Sequence, residues 1–187
     1  GAFGEMSSMS FYFGHHLSTL EGGMVSTNDE ELNDILLHTR SHGWAKDIAP
    51  EKEEYLARQR DVLPFNRVFT FYHPGFNVRS TDLNARIGLG QMKKVGWVVE
   101  RRVENHRRYQ ERFLQSPDYH VPTNSDAEIC SISFVALASS QEHRDRVGKA
   151  LREHGIETRP LGGGSMGRQP FWVDRQGTQT LPIADRV

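Results

Sequence analysis

One cysteine, Cys130, occurs among 187 residues. A lone thiol can neither close a disulfide framework nor supply the thiolates of a metal cluster within this chain. The chain also lacks an apolar run of roughly eighteen residues, which a membrane-spanning helix would need. An excess of one charge is missing as well: 23 Lys and Arg stand against 24 Asp and Glu, for a formal net charge of −1. Proteins held on nucleic acid by phosphate contacts normally carry a basic surplus, so that class is disfavoured. The pairs Arg101-Arg102 and Arg107-Arg108 are interleaved with Glu100, Glu104 and Glu111, the pattern of an exposed helix face. Repeats and low-complexity tracts are absent too. The default expectation is a cytoplasmic enzyme of one domain or two small ones.

What stands out is a histidine pair. An aromatic run, Phe11 to Phe13, reads as a short buried strand that delivers His15 and His16 into a turn. The following Glu21-Gly22-Gly23 lets the backbone bend before the next apolar stretch. Imidazole has an unperturbed pKa of about 6.5 and moves protons near neutral pH. Unlike lysine, it forms no stable Schiff base with an aldehyde cofactor. By itself, a His-His pair is more often structural than catalytic.

Alternating strands and helices predict an α/β architecture. Met24 to Ser26 reads as a strand, and Thr27 or Asn28 as the cap of a helix with Asp29, Glu30 and Glu31 in its first turn. Gly43 supplies the stop after His42. Residues 45–66, with Pro50 and Pro64, read as a long irregular connection. Phe69 to Tyr72 predicts a strand. Thr81 and Asp82 open a helix running through Met92, and Gly96 separates it from a second helix, Trp97 to Leu114. Ile129 to Leu137 has strand character. His143 to His154 reads as a helix ended by Gly155, with Ile156 to Arg159 as a return strand.

The segment from Ser10 through His15-His16 to Glu21-Gly22-Gly23 resembles the cofactor-lysine segment of the DegT/DnrJ/EryC1/StrS sugar aminotransferases. There a serine, an aromatic, three variable residues and a lysine precede a Gly-rich turn. Five residues on from Ser10 stands His15, where that family places lysine. The replacement resembles one branch of the family, the 3-dehydratases of nucleotide-linked 4-keto-6-deoxy sugars, with GDP-4-keto-6-deoxymannose as the implied substrate. The resemblance implies a partial fold-type-I pyridoxal-phosphate transferase. Residues 1–114 would be the end of the large cofactor-binding domain with bridging helices, and 115–187 an incomplete small C-terminal α/β domain. Both ends read as cut, and the match as the second half of a full-length member.

The same resemblance implies pyridoxal 5'-phosphate and pyridoxamine 5'-phosphate as cofactors, held noncovalently, with glutamate as amino donor. His15 becomes the base, and Ser10 a contact to cofactor phosphate. The role of His16 stays open between orienting His15, assisting departure of the C3 hydroxyl and simple packing. The stretch His73-Pro74-Gly75-Phe76-Asn77-Val78-Arg79 resembles the family segment that approaches a neighbouring subunit's site. That places Asn77 on cofactor phosphate and Arg79 on substrate or partner groups, and it implies a homodimer with a shared active site. Gly155 to Pro170 resembles the small-domain segment that closes over substrate, with Arg159 and Arg168 as substrate-binding forks.

Alternatives remain. His15, His16, His38 and His42 suggest a metal site, but no carboxylate motif of a zinc enzyme accompanies them, so no metal is expected. A sugar aminotransferase would need another lysine, and Lys46, Lys52, Lys93, Lys94 and Lys149 all sit in charged stretches. A truncated, inactive relative is the non-enzymatic alternative.

Overall fold

The computed structural model describes residues 3–124 and 126–186. The family-like opening and closing motifs extend to Gly1, Ala2 and Val187, which lie outside the described residues. The chain divides into two compact units, 1–98 and 99–187.

The first unit begins with an antiparallel hairpin. β1 (Met6–Ser10) pairs with β2 (Gly23–Thr27) in a register that sets Met6 opposite Thr27 and Ser10 opposite Gly23. The strand therefore ends where the aromatic run starts. Phe11 to Phe13 is not a strand; Tyr12 and Phe13 are exposed and belong to the connection between β1 and β2. Their β propensity is overridden because the hairpin closes behind them.

α1 (Glu30–Arg40) is capped by Asp29, not by Thr27 or Asn28. The Asp29 carboxylate accepts from the Leu32 amide at 2.9 Å, satisfying one of the unpaired donors of the first turn. Thr27 instead donates to the Glu5 carbonyl at 2.7 Å and accepts from the Asp29 amide at 3.1 Å. The helix stops as predicted, with His42 at φ 63° and Gly43 at φ 91°.

Residues 45–66 are not an irregular connection. α2 spans Pro50–Gln59, followed by a 3-10 turn at Pro64–Phe69. Proline breaks a helix interior but is well suited to the first turn, where its missing N–H has no partner to lose. Glu51 and Glu53 complement the dipole there. The strand predicted at Phe69 to Tyr72 reduces to one bridge between Trp44 and Phe71.

α3 (Asp82–Met92) starts where expected, with Thr81 as its cap. α4 (Val95–Phe113) follows after Lys93 and Lys94, so Gly96 lies inside the helix rather than at the break. The division between the units falls within α4.

In the second unit, β3 (Tyr119–His120) and β4 (Leu137–Ala138) form a minimal antiparallel pair. The predicted strand Ile129 to Leu137 is otherwise absent. Its apolar residues pack on α4: the Phe134 ring lies 5.3 Å from Tyr109 and 5.2 Å from Phe113, centroid to centroid. Aromatic packing of this kind produces an alternating pattern without a ladder. α5 (Gln141–Glu153) is capped by Ser140, which accepts from the His143 amide. Gly155 follows at φ 75°, and residues 156–159 join no ladder among the described residues. α6 (Pro170–Gln176) again begins on a proline.

Candidate active site

The histidine pair sits in the loop 11–22, and backbone bonds close that loop. The Phe11 amide donates to the Gly22 carbonyl at 2.9 Å, and the Thr19 amide to the Phe11 carbonyl at 2.8 Å. Inside this closure the His15 amide donates to the Tyr12 carbonyl at 3.0 Å, so His15 sits in a tight turn. The Tyr12 ring meets the His15 ring edge-on at 6.2 Å. Both imidazoles are half-buried. At the mouth of the loop, the Ser10 hydroxyl accepts from the Tyr12 amide at 3.3 Å. The structure thus brings Ser10, His15 and His16 into one short segment leaving β1.

Thr19 anchors the loop from below and is 6% exposed. Its hydroxyl donates to the Glu21 carbonyl at 2.7 Å, fixing a turn in which Leu20 is held at φ 71° and Gly22 takes φ 140°. Glu21 therefore contributes its backbone to the turn, as its Gly-rich setting suggested. Sequence reading missed both Thr19 and the α3 residue Asn84, whose side-chain amide donates to the carbonyls of Thr19 at 2.9 Å and Glu21 at 3.2 Å. A signal existed: Thr81 and Asn84 have the three-residue spacing of a capping box.

Asn77 and Arg79 lie exposed on a second segment that runs into α3. This segment is clasped by the end of α1. The Phe76 amide donates to the Thr39 carbonyl at 2.7 Å, the His42 amide to the Phe76 carbonyl at 2.7 Å, and the Val78 amide to the Arg40 carbonyl at 3.0 Å. Ser41 and Asn77 form an isolated antiparallel bridge. The crossing is so close that a Cβ on Gly43 would lie 1.8 Å from the His73 carbonyl oxygen, and one on Gly75 2.3 Å from the Gly43 nitrogen.

His38 is a structural histidine. It is 2% exposed, and its Nδ1 lies 2.6 Å from the Asp34 carbonyl. A carbonyl only accepts, so the proton is on Nδ1. Burial lowers the pKa of His38, and the His73 ring, 5.0 Å away, adds to that effect. His42 packs against Trp44 at 5.0 Å. Among the described residues no group of three His, Cys, Asp or Glu side chains is placed to hold a metal ion. Lys52, one of the alternative lysines, has its ammonium 2.7 Å from the Asp34 carboxylate and 3.6 Å from Glu30; hydrogen bonding to Asp34 raises its pKa.

In the second unit Arg159 is exposed. Arg168 is engaged within the chain: its Nη2 lies 3.0 Å from Asp185 Oδ2 and its Nε 3.4 Å from Oδ1. The Leu181 amide also donates to Oδ2 at 3.1 Å. The Arg168 hydrogen bonds chiefly hold the Asp185 pKa down, from 3.8 to about 2. A depressed carboxylate stabilises the fold above its unfolded value, and that contribution is lost as pH falls through the folded one. Acid titration followed by circular dichroism should therefore show a loss of stability between pH 3.8 and about 2 that Asp185→Asn removes. An unchanged acid limb in the variant would mean that the pair contributes nothing in solution.

The chain belongs to the DegT/DnrJ/EryC1/StrS aminotransferase family, whose model matches residues 1–187. It is 36% identical over 162 residues to a GDP-4-keto-6-deoxy-D-mannose 3-dehydratase of Yersinia pseudotuberculosis, covering 86% of this chain and 41% of that protein. The chain thus spans about two-fifths of the length of that relative. A solved E. coli GDP-4-keto-6-deoxy-D-mannose 3-dehydratase with bound hydrated pyridoxal phosphate superposes with a TM-score of 0.78 at 25% identity, over 100% of this chain and 48% of its own. Another GDP-4-keto-6-deoxymannose 3-dehydratase structure, holding a trapped pyridoxal phosphate–glutamate geminal diamine, gives a TM-score of 0.80 at 25% identity, over 100% and 49%. The fold is therefore that of part of a fold-type-I pyridoxal-phosphate transferase.

Proposed function

We propose that the whole protein is a pyridoxal-phosphate-dependent 3-dehydratase that removes the C3 hydroxyl of a nucleotide-linked 4-keto-6-deoxyhexose, GDP-4-keto-6-deoxymannose by the names of its relatives. One observation carries the reading. The loop that resembles the family's lysine-bearing segment holds His15 and no lysine, and the first lysine of the chain is Lys46, beyond both strands of the hairpin.

The donor set suits the cofactor. A hydroxyl and an imidazole flank one tight turn, and no primary amine lies in that loop to tether an aldehyde. When bound, pyridoxamine or pyridoxal phosphate supplies the electron sink for carbanion chemistry. Ser10 donates its hydroxyl hydrogen to the phosphate, and Asn77 offers its side-chain amide to the phosphate bound by the partner subunit. His15 accepts a proton at a ring nitrogen and returns it, which requires a neutral imidazole at the start. His16 beside it orients that ring or assists the departing hydroxyl. Arg79 and Arg159 serve the nucleotide sugar. Arg168 would bind an anionic substrate group of matching fork geometry by giving up Asp185. Glutamate supplies the electrons for deoxygenation, leaving as the 2-oxo acid while ammonia is released.

The homodimer is what the resemblance implies for the Asn77 segment, where the flanking Phe76 and Val78 are 70% and 66% exposed. Residues 1–114 are assigned to the large domain and 115–187 to part of the small one. We assign the protein to the cytoplasm; among the described residues no helix is long and apolar enough to cross a membrane.

The test is incubation of the whole protein with GDP-4-keto-6-deoxymannose, pyridoxal phosphate and glutamate. Ammonia and a 4-keto-3,6-dideoxy sugar are expected, and borohydride should trap no covalent cofactor adduct. An amino sugar as product would make the protein an aminotransferase, and inertness of the whole protein would make it a non-catalytic relative.

A further inference from the structure

Outside the proposed site, the first turns of α3 do more than start a helix. Asn84 uses both ends of its side-chain amide. Its Oδ1 accepts from the Thr81 hydroxyl at 2.6 Å and the Thr81 amide at 3.3 Å, completing the helix cap. Its Nδ2 points the other way and donates to the carbonyls of Thr19 and Glu21, 65 and 63 residues earlier in the chain. One turn further along α3, on the same face, is Gly88. It is buried, and a Cβ there would lie 3.1 Å from the Thr19 methyl carbon. Thr19 in turn closes the histidine loop through its amide bond to Phe11. A loop of twelve residues closed by only a few bonds would otherwise sample many conformations.

We propose that Asn84, with Gly88 leaving room for Thr19, is a positioning residue for His15. The α3 helix thereby sets the geometry of the base without touching substrate. This rests on the reading of His15 as the base. Only an amide serves both functions at once: the carbonyl end caps the helix and the NH2 end holds the loop. Asn84→Asp separates them. An aspartate still accepts from Thr81, but it cannot donate to Thr19 and Glu21 and places negative charge against their carbonyls.

The experiment uses the whole protein, wild type, Asn84→Asp and Thr81→Ala. In cofactor-free protein, hydrogen exchange at the Phe11 and Thr19 amides should rise about tenfold or more in Asn84→Asp, with exchange along α3 unchanged. With cofactor and substrate, kcat should fall by about tenfold or more while KM moves less than about twofold, because misplacement of a reacting group is felt in the chemical step. Thr81→Ala loses the cap alone and should keep kcat within about twofold. Unchanged exchange at Phe11 and Thr19 would sink the tether. Faster exchange with kcat intact would show that the loop is held without positioning the base. A His15→Asn control that retains turnover would instead sink the reading of His15, a result separable from both. Should Asn84→Asp fail to fold, Gly88→Ala serves as the second variant. Alanine favours the helix but presses on Thr19, so a smaller drop in kcat with a stable protein is expected, and an unchanged kcat overturns the proposal.

Discussion

His15→Asn in the whole protein is expected to lower turnover by about 10²- to 10⁴-fold, the usual contribution of a positioned general acid–base. Asparagine fills a similar volume and can hydrogen-bond, but it cannot accept and return a proton near neutral pH. The loop itself should survive, because backbone bonds through Phe11, Thr19, Gly22 and the His15 main chain close it. Cofactor affinity should thus change much less than kcat, and steady-state ammonia release compared with spectroscopic cofactor titration would show the difference. The companion variant, His15→Lys, puts a primary amine into that loop. It should acquire a borohydride-trappable cofactor adduct that wild type lacks. Wild-type turnover in His15→Asn, or an adduct already present in wild type, would remove the basis for a lysine-free mechanism.

The second large effect concerns the clasp that presents Asn77. Gly43→Ala would set a methyl 1.8 Å from the His73 carbonyl oxygen in a residue whose φ is 91°. No side-chain rotation relieves this, since the clash involves Cβ and backbone. We expect a loss of about 3 kcal/mol or more, the combined scale of a left-handed non-glycine and a steric overlap. Against a typical total stability of about 5–15 kcal/mol, that is a large fraction. Denaturant titration would measure it as a lower midpoint with little change in slope. A shift below about 1 kcal/mol would mean that the crossing is looser than the geometry indicates.

Local signals predicted some of these features well. Acidic residues before Leu32, the Thr81-Asp82 start of α3, and the end of α1 near Gly43 were all legible from the chain. Each is decided by bonds within a few residues: a cap, a dipole, a left-handed stop. Elsewhere the local pattern is ambiguous. Pro50 reads as an interruption, but whether proline breaks or begins a helix depends on its position within that helix, and Glu51 and Glu53 favour a start. Ile129 to Leu137 alternates as a strand does, yet Phe134 is apolar because Tyr109 and Phe113 lie against it. The Phe11 to Phe13 run has strand composition, but the register of Ser10 opposite Gly23 ends the ladder before it.

The residue types of the proposed site were legible for a different reason. Replacement of a tethering amine by an imidazole is a change of chemistry, visible wherever the residue sits. The chain by itself determined the imidazole at His15, its five-residue offset from Ser10, and the helix starts that depend on neighbouring side chains. Only the tertiary structure decided that Asn84, far along the chain, grips the loop of His15, that Gly43 and Gly75 cross without room for a Cβ, and that Arg168 is held by Asp185. Those contacts join segments distant in sequence, and no local propensity encodes which distant backbone a side chain will meet.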